Sequence, residues 1–253
     1  MSVPVSGVVK KKAFASAAGW VVNTTTCGPE ETQVICLSLA PSTAVAAPAG
    51  WTNIGRFPHP TDPAGIAVYI RFNATTSTVS ESTVIFSNSV CTGVSIAFTL
   101  QGQYVPRSWQ ASHTTQYASS VTTPVVTVPT NYASNRRFDL VASAQFPRNL
   151  SKGTGPATLL EAHYPTTFPG GSLAVFYEDI VPGTSNGTVV NSADPGGGSG
   201  GSLFNLATFF FSPGGYITIT AEGGLDIDTS HSEPPGPPAG NGYLAPILSE
   251  QFG

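Results

Sequence analysis

Apolar positions along this chain recur at every second residue far more often than at every third or fourth. Val94, Ile96, Phe98 and Leu100 alternate with Ser95, Ala97 and Thr99, and Ile217 and Ile219 alternate with Thr218 and Thr220, the period of a strand with one covered face. Val34-Ile35-Cys36-Leu37-Ser38-Leu39 and Phe138-Asp139-Leu140-Val141-Ala142 are almost continuously apolar, as strands covered on both faces are. Further strands are predicted at 13–22, from Trp51, at 65–72, 84–86, 125–128, 173–177 and 203–211. Helical spacing is missing, and most windows of a dozen residues hold one of the 27 Gly or 22 Pro, which favours short strands joined by turns.

The predicted strands repeat in order. Pro48-Ala49-Gly50-Trp51 leads through the Pro58, Pro60, Pro63, Gly65 loop into Gly65-Ile66-Ala67-Val68-Tyr69. Pro156-Ala157-Thr158-Leu159 leads through 165–171 into Leu173-Ala174-Val175-Phe176-Tyr177. The two Ala-Val pairs lie 107 residues apart (174 − 67). Each pair follows an apolar strand, 34–39 or 138–144, and precedes a closing one, 93–100 or 203–211.

The expected fold is all-β: two tandem antiparallel β-sandwiches, jelly-roll or immunoglobulin-like, over 13–120 and 121–222. Residues 1–12 form an N-terminal arm and 223–253 an extended, Pro-rich tail. Residues 101–120 read as a linker carrying Trp109, His113 and Tyr117, and 194–201 as a flexible Gly-rich loop.

Charge narrows the function. Charged residues are 9% of the chain, against roughly a quarter in ordinary soluble domains, and a net charge of −4 argues against neutralising nucleic-acid phosphates. Lys10 to Lys12 and Arg136-Arg137 read as solvated positions at a strand start or edge. Cys27, Cys36 and Cys91 lack metal-ligand spacing; Cys36 and Cys91 are expected to pack as small hydrophobes. No apolar run reaches the roughly 18 residues a membrane span needs. Lys10 to Val22 resembles an export signal only loosely, and a first strand is the expectation.

Candidate chemistry is sparse. His59, His113, His163 and His231 are far apart in sequence, His59 and His163 falling at equivalent loops. No Gly-x-Ser-x-Gly elbow occurs. Asp226 and Asp228 would share a strand face and could hold a hard cation, whereas Glu178 and Asp179 would point apart; solvated acids account for both. The run 196–201 lacks the Lys-Ser or Lys-Thr of a phosphate loop. Asn-x-Ser/Thr triplets at Asn23, Asn73, Asn149 and Asn186 are expected from the composition. Trp109 and Tyr117, with Trp20 and Tyr104, are the candidate aromatic platform for a sugar. Tyr243, Leu244, Ile247 and Phe252 are the candidate docking residues of the tail, since Pro-rich extended segments lose little entropy on binding. No catalytic, cofactor-binding or metal-binding residue is assigned.

The apolar strand leading to Ala47-Pro48-Ala49-Gly50-Trp51-Thr52, then Gly65-Ile66-Ala67-Val68-Tyr69 and the alternating 94–100 strand, resembles the repeated β-sandwich units of tailed-bacteriophage virion proteins, especially minor tail proteins of phages infecting actinobacteria. The resemblance covers about residues 34–100, and 138–211 more loosely because the second copy has Thr158-Leu159 where the first has Gly-Trp. It implies a non-enzymatic structural role in a virion, without cofactor: a minor tail or tail-tip protein assembling with itself, three-fold symmetry suiting that position, and with other virion proteins. Capsid-surface decoration, a head fibre and a carbohydrate-binding module contacting a host glycan are the alternatives, and a hydrolase ranks lowest. The implied location is the virion, after synthesis in the host cytoplasm, with neither nucleic-acid binding nor membrane insertion.

Overall fold

The computed structural model describes residues 5–40, 45–60, 65–80, 82–130, 135–143, 147–164, 171–194, 201–213, 217–219 and 225–227. These residues form strands and connections without a helix, and every named strand pair is antiparallel. The first half builds a five-stranded sheet from β1 (Val5–Asn23), β2 (Thr32–Ala40), β3 (Thr52–Pro58), β4 (Gly65–Phe72) and β5 (Thr83–Leu100), in the order β1-β5-β2-β4-β3. The second half builds another from β6 (Tyr104–His113), β9 (Asn135–Ser143), β11 (Thr158–His163), β12 (Ser172–Ile180) and β15 (Phe204–Pro213), in the order β6-β15-β9-β12-β11. Matching β1 to β6, β2 to β9, β3 to β11, β4 to β12 and β5 to β15 makes the two orders identical.

Alternation along each strand gives each sheet an inner and an outer apolar face. The inner faces meet. Val34, Cys36, Val68, Ile96 and Phe98 from the first sheet share one buried cluster with Phe138, Leu140, Val175, Phe209 and Phe211 from the second. Phe98 stacks on Phe138 with ring centroids 5.0 Å apart, and Phe138 stacks on Phe209 at 5.8 Å.

The stacking carries its own symmetry. β1 touches β11 and β3 touches β6; β5 touches β12 and β4 touches β15; β2 lies against β9. Exchanging the halves turns each of these contacts into another of the set, with β2 and β9 on the axis. Such self-complementary packing is what a two-fold dimer interface has, here between two halves of one chain.

The outer faces are covered differently. In the first half the β1–β5 ladder shifts register three times; such bulges bend and twist a strand pair. Its far end closes over the outer face: Trp20 stacks on Phe86 at 4.3 Å, and Phe86 meets Tyr69 of β4 edge-on at 5.0 Å. In the second half a separate three-stranded sheet, β7 (Ser120–Thr122), β10 (Asn149–Lys152) and β14 (Val189–Ala193), brings Val121, Leu150 and Val190 onto Val141, Phe176 and Leu206. A ribbon of β8 (Val126–Val128) and β13 (Gly183–Ser185) sets Val126 and Val128 against Ile180 and Phe210. A last ribbon pairs β16 (Ile217–Ile219) with β17 (Leu225–Ile227).

Several expectations are corrected. Residues 5–12 of the expected N-terminal arm belong to β1, extended along the edge of the first sheet and paired with β5. Residues 104–113 pair with β15 as the edge of the second sheet, so the linker between the sheets shrinks to 101–103. Pro106 explains the misreading, because proline is tolerated at a sheet edge but breaks the apolar rhythm of a strand. Val126–Val128 serves the covering ribbon and not the main sheet. The segments 84–86 and 93–100 are one continuous strand. The tail 223–253 lies outside the described residues apart from Leu225–Ile227.

Candidate functional site

Among the described residues, three groupings of polar side chains bear on function: the pair of seams where the stacked sheets meet edge to edge, the outer face of β9, and the margin of β1. At the β1/β11 seam Lys11 Nζ donates to Glu161 Oε1 at 3.1 Å, tying the two halves together. His163, two residues from Glu161 on β11, is half-buried, and its Nε2 has no hydrogen-bond partner. Burial, then the charge of Lys11, pull its pKa below the ordinary histidine value, while Glu161 works the other way. At the β3/β6 seam the buried His59 lies 2.9 Å by Nε2 from the carbonyl of Thr114 and meets the His113 ring edge-on at 5.0 Å. His59 and His163 are near-equivalents only: the strand registers match His163, opposite Leu173, to Phe57, opposite Ile66.

The second cluster is the strongest departure from expectation. Arg136 and Arg137 lie within β9, the central strand of its sheet, and Arg137 and Asp139 are wholly buried. Residues two apart share a strand face, so both project to the outer side. Arg137 Nε donates to Asp139 Oδ1 at 2.8 Å. Its Nη1 donates to the carbonyls of Ser185 and Asn186 at 2.9 and 2.6 Å, and its Nη2 to Thr123 Oγ1 and the Pro124 carbonyl at 3.1 and 2.7 Å. Thr208 Oγ1 donates to the same Asp139 oxygen at 2.7 Å, while Asp139 Oδ2 is left without a partner. The guanidinium thus pins the 123–124 and 185–186 segments over the sheet. Closeness of approach makes Gly187 obligatory, since a Cβ there would lie 2.0 Å from the Thr123 carbonyl oxygen.

Neighbouring carboxylates are absorbed in the same way. Arg136 donates to Asp179 at 2.7 Å and sits over the Tyr177 ring at 4.8 Å. Glu178 accepts from Ser185 Oγ at 3.0 Å; its pKa is raised mainly by burial. Arg148 donates to the Gly201 carbonyl at 2.7 Å and pairs with Asp194, clasping the chain on both sides of 195–200.

Two residues of the predicted aromatic platform are taken up in packing. Trp20 is buried against Phe86 in the first half, and Tyr104 packs against the central core. Tyr117 is 62% exposed. Trp109 falls on β6, its side chain outside the described residues, and Tyr243, Leu244, Ile247 and Phe252 lie outside them altogether. Trp51 and Tyr69 are buried core aromatics. The three cysteines are buried and unpaired; burial pushes the Cys27 thiol up to about 12 and Cys91 up to about 11. Among the described residues no group of three His, Cys, Asp or Glu could hold a metal, and no helix is long and apolar enough to cross a membrane. Of the Asn-x-Ser/Thr triplets, Asn73 is buried with Nδ2 donating to the Gly28 and Ser77 carbonyls at 2.8 and 2.9 Å, so its amide is occupied.

The third place is the margin of β1. β5 is its one strand partner, which leaves the opposite edge of all 19 residues without a paired strand among those described. Lys10, Lys11 and Lys12 fall on it, and a cleft of about 500 Å³ lined by Lys10, Asn23, Thr24, Ser82 and Thr83 opens beside them. Chemically this margin offers backbone donors and acceptors and positive charge. Comparison with protein-family models, with curated proteins and with solved structures returns no match to this chain.

Proposed function

We propose that this chain is a structural subunit of a bacteriophage virion, at the tail or tail tip, which works by packing against copies of itself and neighbouring virion proteins. The observation that supports this best is the edge of β1, which has no pairing strand among the described residues. An edge strand presents a row of unsatisfied N–H and C=O groups, which proteins living as monomers keep short, interrupt with proline or bulges, guard with lysine or cover. Lys10 to Lys12 and three bulges guard parts of this edge, yet it still runs 19 residues without a proline and without a pairing strand among those described, in a chain with only 9% charged residues. Paired within an assembly, such an edge is satisfied.

In this reading each half is a sandwich of one five-stranded sheet and its outer cover, the two joined face to face, and the tail beyond residue 222 docks on adjacent subunits. Sedimentation across a range of concentrations tests it. Concentration-dependent association is expected, and deleting 223–253 is expected to abolish it without unfolding the chain; a protein that stays monomeric throughout would overturn the reading. Exposure of Tyr117 favours a second function, host-glycan binding. A glycan array with no signal above that of Tyr117→Ala removes it.

A further inference from the structure

We infer that Asn186-Gly187 is a site of spontaneous backbone modification, at which Arg137 assists the Gly187 nitrogen in displacing ammonia from the Asn186 side chain. The pair lies between β13 and β14, in the segment that Arg137 pins over the second sheet. Asn186 is exposed, and Gly187 brings no Cβ to crowd its own nitrogen. Among the described residues neither the Asn186 carboxamide nor the Gly187 N–H makes a hydrogen bond, so the electrophile can turn and the nucleophile is unoccupied. Three other asparagines each lack one of these conditions. The nitrogen after Asn23 donates to the Ser82 carbonyl and the nitrogen after Asn191 to the Ser119 carbonyl, both at 2.8 Å, while the Asn73 carboxamide is held by the Gly28 and Ser77 carbonyls.

Arg137 stands where the charge develops. When the peptide joining the two residues loses its proton, the negative charge is shared between the Gly187 nitrogen and the Asn186 carbonyl oxygen. Arg137 Nη1 donates to that oxygen at 2.6 Å, closer than to the Ser185 carbonyl and Oγ at 2.9 Å. The guanidinium is wholly buried, so a charged donor is fixed in place before the anion forms. The nitrogen attacks Asn186 Cγ and forms a C–N bond; the Cγ–Nδ2 bond breaks, and ammonia leaves with the proton that the nitrogen gave up, returned through water. Water then opens the cyclic imide at either carbonyl, leaving an aspartate or a β-linked aspartate whose backbone is one atom longer. One water is consumed and one ammonia released. The consequence falls on the cover of the second half: Gly187 runs so close to the Thr123 carbonyl that no Cβ fits, and a longer backbone there displaces the carbonyls that Arg137 holds, loosening the β8–β13 ribbon.

The test incubates the full-length chain, folded and unfolded in urea, at one pH and temperature, and follows conversion at Asn186 and Asn191 by peptide mass spectrometry. Folded chain is expected to convert Asn186 about tenfold faster than unfolded chain, the size of effect a hydrogen bond from a charged donor allows, and to convert Asn191 more slowly than unfolded chain does. Arg137→Gln/Asp139→Ile, which removes the charged donor, should return Asn186 to the unfolded rate. Should that variant fail to fold, the wild-type comparison decides alone. A folded rate at or below the unfolded one, or a folded variant as fast as the wild type, overturns the assistance by Arg137. The urea midpoint of the wild type should fall as conversion proceeds, while Asn186→Gln, which would have to close a larger ring, keeps its midpoint over the same time. A wild-type midpoint that stays constant while Asn186 is consumed overturns the loosening of the cover.

Discussion

The two halves agree on the face they share and differ on the faces they turn outward. On the inner side the register matches Val34 to Phe138, Cys36 to Leu140, Ile96 to Ala207 and Phe98 to Phe209, and all eight are buried in one core. On the outer side Gln33 stands where the second half has Arg137, and Ile35 where it has Asp139. A symmetric contact must suit both partners at once, so its apolar character is held on both sides; each outer face answers only to its own cover and can diverge. Even the inner face departs from symmetry in volume. Large Phe138 lies where its equivalent Val34 is small, and the close packing of a protein interior rewards large against small.

The largest effect is expected from breaking the shared face. Phe138→Ala removes a ring that contacts Phe98, Phe209 and Phe211 and should cost about 3–5 kcal/mol for the cavity plus roughly 1 kcal/mol for lost ring pairing, read from the urea midpoint. Val34→Phe, which restores symmetry by overpacking the axis, should cost about 1–3 kcal/mol. A smaller loss from Phe138→Ala than from Val34→Phe would mean the central core does not bind the halves together.

Next comes the outer face of β9. Arg137→Ala leaves Asp139 charged and buried, which typically costs about 3–5 kcal/mol. Arg137→Gln with Asp139→Ile writes the first half's pair into the second and should recover most of that loss, because removing both charges of a buried pair is often close to neutral. If the double change is as damaging as the single one, the bonds from Arg137 to the 123–124 and 185–186 segments matter more than the ion pair. On the first half's outer face Tyr69→Phe tests a neutral counterpart: its hydroxyl donates to the Val45 carbonyl at 2.9 Å, and the loss should be about 1 kcal/mol.

Legibility of the sequence follows the same division. The inner-face strands announced themselves because burial on both sides writes continuous apolar runs, and the 107-residue interval between Ala67 and Ala174 holds as a register equivalence, Ala67 opposite Leu37 and Ala174 opposite Val141. What covers the second outer face was hidden. β10 and β14 are short and polar, and Val189–Ala193 lies in a stretch whose Gly and Asn content reads as loop. Arg137 and Asp139 carried one usable signal, two opposite charges two residues apart at the head of an apolar strand, which is the spacing of a same-face pair. That the sheets stack on each other through a pseudo-two-fold axis cannot be seen in either strand pattern, since alternation specifies which face is apolar but not what covers it.

The smallest expected effect concerns the seam that joins the halves at β1 and β11. A histidine whose pKa is lower in the folded than in the unfolded chain binds fewer protons when folded, so acid favours unfolding. For His163 the cause is burial first and Lys11 second. Its contribution is nil above the ordinary histidine value of about 6.5 and becomes a destabilisation as pH falls from there toward the folded pKa. His163→Gln should therefore flatten the pH dependence of the urea midpoint between about pH 7 and 5 while leaving the value near pH 8 almost unchanged, half-exposure keeping the difference modest. Lys11→Gln should produce a smaller flattening of the same sign, because it removes only the second cause. An unchanged slope in both variants would mean that the seam stays wet enough for the two charges to ignore each other, and that the joint between the halves is carried by the phenylalanine core alone.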